Sequence, residues 1–259
     1  IYTSGGQQYY STASDLPQEI QLLLRQKVSN VIAQGSLKLI RNLGSTMLSI
    51  KGRLLQSDGE DYCVYILSQM ANTAVFDKYT IRCFSADEDL QDSKPIEFYL
   101  GSSEEISAAH AACQRYAVMN APVLIEGERG TGKDRFAHYL YSHSKFKQNS
   151  FVVIDASLLD KKGWDFLLKS DSSPLTDSGL TISFIRMQAI PPEQQKEFRL
   201  YLKNSRVMQT NRLIFSYTEE NGSVPQDELY LYLTETVHCL QLRLPPLSQR
   251  PEDIPTLVG

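Results

Sequence analysis

Residues 127–134 read Gly-Glu-Arg-Gly-Thr-Gly-Lys-Asp, and no other stretch of this chain restricts its fold as tightly. The pattern is G-x-x-x-x-G-K. It follows the apolar run Pro122–Ile125 almost at once and precedes Arg135–Ser144, which reads as a helix. A strand that ends in spaced glycines and restarts as a helix suits one physical task. The glycines let the backbone curl until several N–H groups face one point, and the helix adds the positive end of its dipole. Lys133 contributes a mobile point charge. A phosphate chain is the natural occupant, so Gly127, Glu128, Arg129, Gly130, Thr131, Gly132, Lys133 and Asp134 form the candidate cofactor-binding set, with ATP or ADP as the cofactor. The residue after the lysine is Asp134, so the usual hydroxyl ligand to Mg²⁺ is missing.

The surrounding pattern agrees with such a loop. Ser102–Met119 reads as a helix with Ile106, Ala109, Cys113 and Tyr116 on one side. Short apolar runs at Phe151–Ile154, Thr181–Ile185 and Arg212–Tyr217 read as strands, with a helix at Pro192–Leu202 between the last two. Strands alternating with helices predict an α/β fold, a mostly parallel sheet covered on both faces, over residues 98–259.

Residues 1–70 have another texture, that of a small α+β domain. Ile1-Tyr2-Thr3 reads as the end of a strand, and Asp15-Leu16-Pro17 opens a helix carrying Ile20, Leu23 and Leu24. A hairpin is expected from Met47–Gln56 and Tyr62–Gln69, joined across Ser57–Asp61 with Gly59 in the turn. Its alternation puts Leu48, Ile50, Tyr62, Val64 and Ile66 where they face a core or a partner. Residues 71–97, with the polar acidic run Ala86–Pro95, read as a linker.

Composition excludes some classes. The net charge of −4 gives no basic footprint for nucleic acid. No run approaches the roughly 18 apolar residues of a membrane span, and no signal peptide opens the chain. Cys63, Cys83, Cys113 and Cys239 form no C-x-x-C pair and read as buried thiols of a cytoplasmic protein. The four histidines show no acid–base pairing.

Several segments in one collinear order resemble the AAA+ domain of bacterial enhancer-binding proteins, the sigma-54 activators. They are Tyr99-Leu100-Gly101-Ser102-Ser103, then APVLIEGERGTGKD, FVVIDASLL at Phe151–Leu159, Gly179–Leu202, and LRLPPLSQRPEDIPTLV at Leu242–Val258. In that family an acidic residue follows the loop lysine, as Asp134 does here. The resemblance implies a P-loop AAA+ α/β subdomain, adds Leu100 and Gly101 to the nucleotide site, and implies a homo-oligomer. The order of elements in residues 1–70 is similar to the later part of a PAS sensor domain, which would pair with a second copy of itself. Family members continue into a helical lid and a helix-turn-helix domain; both would lie beyond Gly259, and DNA contact with them.

The departures from the family pattern shape the functional reading. Ile185 and Arg186 stand where active members carry the Asp-Glu that orders Mg²⁺ and activates water. An apolar side chain holds no metal, and an arginine cannot act as a base. Thr218 replaces the sensor asparagine, and Gln226 and Tyr232 stand at the arginine-finger positions. The polymerase-contacting insertion finds no room between Lys169 and Gly179, which speaks against an RNA polymerase contact. The expectation is a signal-responsive transcriptional regulator whose AAA+ domain binds but does not hydrolyse ATP, with no Mg²⁺ site. The alternatives are an ATPase with a relocated acid, Asp155 or Asp171, and an interaction scaffold that ignores nucleotide.

Overall fold

A computed structural model describes residues 16, 18–43, 46–57, 60–72, 80–84, 103–220 and 222–254. Helix α1 (Gln18–Gln34) leads into three strands, β1 (Ser36–Leu43), β2 (Thr46–Ser57) and β3 (Glu60–Asn72). These form an antiparallel meander in the order β1-β2-β3. Strand β4 (Ile81–Phe84) then joins a second sheet. That sheet is completed by β5 (Val123–Gly127), β6 (Phe151–Asp155), β7 (Thr181–Ile185), β8 (Arg212–Thr218) and β9 (Leu240–Arg243), in the order β4-β6-β7-β8-β5-β9. All neighbours are parallel except β4, which runs antiparallel along the edge of β6.

Each central strand is buried on both faces because helices cover both. On one face α2 (Glu104–Ala117) and α3 (Lys133–Ser142) set Ile106, Cys113, Phe136 and Leu140 against Val123, Ile125, Val153 and Ile214. On the other, α4 (Lys161–Lys169) and α5 (Pro192–Asn204) set Trp164, Leu167, Phe198 and Leu202 against Ile154, Ile182, Phe184 and Phe215. The Phe184 ring lies 4.9 Å from Phe198 and 5.8 Å from Phe215, so aromatic packing knits α5 to two adjacent strands. Local chemistry sets the helix starts: the Ser103 hydroxyl caps α2, and the Asp160 carboxylate accepts from Gly163 N–H at 2.8 Å to start α4.

The expected α/β architecture holds, and the small N-terminal unit has an antiparallel sheet. Three expectations need correction. The stretch 71–97, read as a linker, contains β4, which is part of the main sheet; its acidic run and Leu100 and Gly101 lie outside the described residues, as does Ile1-Tyr2-Thr3. Strand β1 was not expected at all. The N-terminal unit also does not stand apart, because Ile40 and Met47 are fully buried in the core that contains Trp164 and Phe198.

The seam between the two units is polar around those apolar contacts. Ser150 Oγ accepts from Ile40 N–H at 2.7 Å and donates to Ile40 O at 3.0 Å, and Lys38 N–H donates to Asn149 Oδ1 at 3.0 Å. The Asp177 carboxylate takes Lys38 Nζ at 3.3 Å and Lys51 Nζ at 3.6 Å, and Lys38 also bonds Ser178 Oγ.

The hairpin register splits the five candidate positions. Ile50, opposite Leu67, is buried under α1, and Leu48 packs at the edge of that core. Tyr62, Val64 and Ile66 lie on the opposite face and are 46%, 39% and 54% exposed. Cys113 and Cys239 are buried, whereas Cys63 and Cys83 are only half-buried; none of the four is in a disulfide. Among the described residues no helix is long and apolar enough to cross a membrane.

Candidate functional site

Strand β5 delivers its last residue, Gly127, between β8 and β9 at the carboxyl end of the parallel sheet. Ligand sites of open α/β sheets lie at that end. Gly127 tolerates no side chain: a Cβ there would stand 2.9 Å from Leu244 O and 2.9 Å from Thr131 Oγ1. Gly132, the residue before α3, holds φ 94, a left-handed conformation that only glycine adopts without strain, and its carbonyl accepts from Arg135 and Phe136 N–H to start the helix. Thr131 Oγ1 closes the loop on Glu128 O at 2.9 Å. Gly130 and Gly132 border open space, so the loop is a concave cradle lined by backbone.

Lys133 folds back over this cradle. Its Nζ donates to Gly127 O at 2.8 Å and to Glu128 O at 2.7 Å. Burial lowers its pKa, against the opposing pull of Asp134 and Glu219. An ammonium satisfied only by two carbonyls of the loop has exchangeable partners, and an anion in the cradle is a better one. The residues therefore fit a phosphate chain.

The end of β7 is built differently. Ile185 is buried, and Arg186 follows it with φ 57 and ψ 44, a left-handed backbone that a non-glycine residue holds at a cost. Arg186 Nε donates to Asp155 Oδ1 at 2.9 Å, and Nη2 pairs with Oδ2 of the same carboxylate. Asp155, only 2% exposed at the end of β6, also accepts from Ser157 N–H at 3.1 Å and Ser157 Oγ at 2.7 Å. Both its oxygens are occupied. Asp134 and Ile185 line one cavity of about 150 Å³ between α3 and the β4–β6–β7 edge, which puts the end of β7 beside the first turn of α3. At the end of β8, Thr218 N–H donates to Gln188 Oε1 at 3.1 Å.

The donor set for Mg²⁺ is poor: Asp134 is the one carboxylate in the first turn of α3, Asp155 is closed by Arg186, and Ile185 at the end of β7 offers no ligand, so a metal here would depend on Asp134 and the phosphates. Asp171 lies on the loop that enters the amino end of β7, a five-residue strand away from the cradle, about 16 Å.

Sequence reasoning missed a second layer beneath the loop. Glu219 N–H donates to Gly127 O at 3.0 Å, and its buried carboxylate takes Arg243 Nε at 2.9 Å. Glu126, beside it, is buried, and burial pushes its pKa up. Arg250 reaches Thr131 O at 3.5 Å, while Asp253 accepts from Ser103 N–H at 3.0 Å and Ser103 Oγ at 2.8 Å. The segment Arg250-Pro251-Glu252-Asp253 thus ties the phosphate loop to the start of α2. Its charge spacing was visible in the sequence, but its partners were not.

This geometry, a parallel sheet with a glycine cradle between β5 and α3, defines a P-loop NTPase α/β domain. Residues 99–170 match the family described as the Sigma-54 interaction domain. The Nif-specific regulatory protein of Azorhizobium caulinodans is 26% identical over 61% of this chain and 29% of its own length. The nitrogen assimilation regulatory protein NtrX of the same organism is 26% identical over 69% of this chain and 44% of its own. The fold is that of NtrX from Brucella abortus in its complex with ADP, at TM-score 0.52 and 20% identity, over 66% of this chain and 44% of that one. The chain therefore spans less than half the length of these relatives.

Proposed function

We propose that this chain is a regulatory AAA+ module that holds ATP or ADP on loop 127–134 and does not hydrolyse it. One observation carries the reading: an intact phosphate cradle stands beside a strand end where Ile185 is apolar and Arg186 is locked to Asp155. Backbone N–H groups around Gly130 and Gly132 and the first turn of α3 would receive the phosphates, with Lys133 turning from the loop carbonyls to join them. Nucleotide, when bound, supplies a charged ligand whose presence is a state of the protein. No group at the end of β7 can take a proton from water, and phosphoryl transfer depends on that positioning and on metal-borne charge. The Brucella NtrX structures with ADP and with ATP lend this reading support through their fold.

The names of the relatives support a role in transcription control, with the small N-terminal unit as a PAS-like sensor and DNA contact made outside this chain. The short connection from Lys169 to Gly179 supports a module that does not engage RNA polymerase as sigma-54 activators do. A homo-oligomer follows by the same analogy. The alternative of a relocated acid loses ground, since Asp155 has both oxygens committed and Asp171 is at the wrong end of the sheet.

Titration with ATP tests the binding. Lys133→Ala should weaken it at least tenfold, the loss of one charge-assisted contact of about 1.5–3 kcal/mol. Equal binding by both proteins would reject loop 127–134 as the phosphate site, and binding by neither would reject nucleotide binding and favour the scaffold. A phosphate release of more than about one per minute that vanishes in Lys133→Ala would reject the absence of turnover.

A further inference from the structure

We propose that Arg186 takes the place of the metal ion: it is a built-in phosphate-binding cation, and nucleotide binding by this chain is independent of Mg²⁺. The inference rests on the reading that loop 127–134 holds nucleotide.

Strand β7 is parallel to β8, and β8 is parallel to β5, the strand that feeds the loop. Ile185 shares a cavity wall with Asp134, the second residue of α3. The next residue, Arg186, is therefore at the same carboxyl edge of the sheet, one residue beyond the wall that Ile185 shares with the head of α3. In P-loop proteins this edge is where a metal would bridge the outer phosphates.

Orientation comes from Asp155. The carboxylate takes Nε and Nη2, the edge-on fork that fixes a guanidinium plane most firmly. That grip leaves Nη1, with two N–H donors, outside the pair. The Arg186 side chain is 49% exposed while Asp155 is 2% exposed, so the anion is inside and the cation is open to solvent. Ser157 supplies two more bonds to Asp155, which keeps the carboxylate in place if the arginine turns its free edge to a phosphate. The left-handed backbone at Arg186 is consistent with a side chain held for a task.

Charge completes the case. A triphosphate needs cations around it, and the site offers Arg129, Lys133, the head of α3 and Arg186 against the carboxylates of Glu128 and Asp134, since Glu219 is already paired with Arg243. Arg186 is the cation that stands at the end of β7, where the apolar Ile185 supplies no metal ligand.

The test is titration of the whole chain with ATP and with AMP, in Mg²⁺ and in excess EDTA. The expected result is an ATP affinity that agrees within about twofold between the two buffers. Arg186→Gln should lower ATP affinity about tenfold or more and leave AMP unchanged. Arg186→Gly suits the left-handed backbone and should show the same loss, which separates the contact from any folding defect. The double variant Asp155→Asn with Arg186→Gln removes the unpaired carboxylate and should stay weak. ATP binding that requires Mg²⁺ overturns the inference and leaves nucleotide binding standing. Wild-type affinity in Arg186→Gln, or its recovery in the double variant, also overturns it. No binding by folded wild-type protein in either buffer overturns both.

Discussion

Arg212 opens β8 and is 2% exposed, and its guanidinium bonds main-chain carbonyls. Nη2 donates to Tyr116 O at 2.6 Å, and Nη1 donates to Ala117 O at 2.6 Å and to Leu140 O at 3.3 Å. Tyr116 and Ala117 end α2, and Leu140 lies in the last turn of α3, so one cation bonds the terminal carbonyls of two helices where their dipoles are most negative. The perturbation is Arg212→Met, which keeps the aliphatic stem and removes every donor. Two short charge-assisted bonds contribute about 1.5–3 kcal/mol each. Relief from burying a guanidinium returns part of that, so the net loss should be about 3 kcal/mol. Urea unfolding followed by circular dichroism measures it, with the slope unchanged and the midpoint lowered. Arg212→Lys should recover only part, since an ammonium cannot span both helix ends. A loss below about 0.5 kcal/mol in Arg212→Met would mean that water serves those carbonyls equally well, and the clip would then hold nothing together.

Asp177→Asn should loosen the seam between the two units: backbone amides of Ile40 and Ser150 should exchange with deuterium faster while those of β5 and β8 keep their protection, and uniform protection across the seam would show that the lysine pairs are idle. Glu126→Gln should change the pH profile of stability. Burial raises the Glu126 pKa in the folded state above its ordinary value of 4.5, so its stabilising contribution is complete below that pH and is lost as pH rises toward the folded pKa. Thermal melts should therefore show the Gln variant gaining on wild type through that window, and a constant difference across it would refute the assignment.

The parallel strands of the α/β unit were legible because each is a short apolar run bounded by turn residues, as in Phe151–Ile154 and Thr181–Ile185. The cradle was legible because its glycines answer to backbone geometry alone. Strand β1 was hidden by burial on both faces: Leu37 and Leu39 point under α1 while Ile40 enters the large core, so no polar alternation marks it. Strand β4 is four residues long with half-buried side chains after Ile81, too brief for any period to show. The pairing of Asp155 with Arg186 spans 31 positions, and Arg212 bonds main-chain carbonyls up to 96 positions away. Contacts to carbonyls carry no side-chain signature, so only the fold reveals them.

Asp177, where Lys38 and Lys51 are anchored, lies just before β7, and Arg186 lies just after it. A strand hydrogen-bonded on both sides does not stretch, so β7 acts as a push-rod about 16 Å long. A tilt of the small antiparallel sheet that drags Asp177 by a fraction of an ångström has three outlets: bending at Ser178-Gly179-Leu180, slippage of β7 against β6 and β8, or movement of the arginine at the other end. Position, not charge, is what the two lysines can transmit.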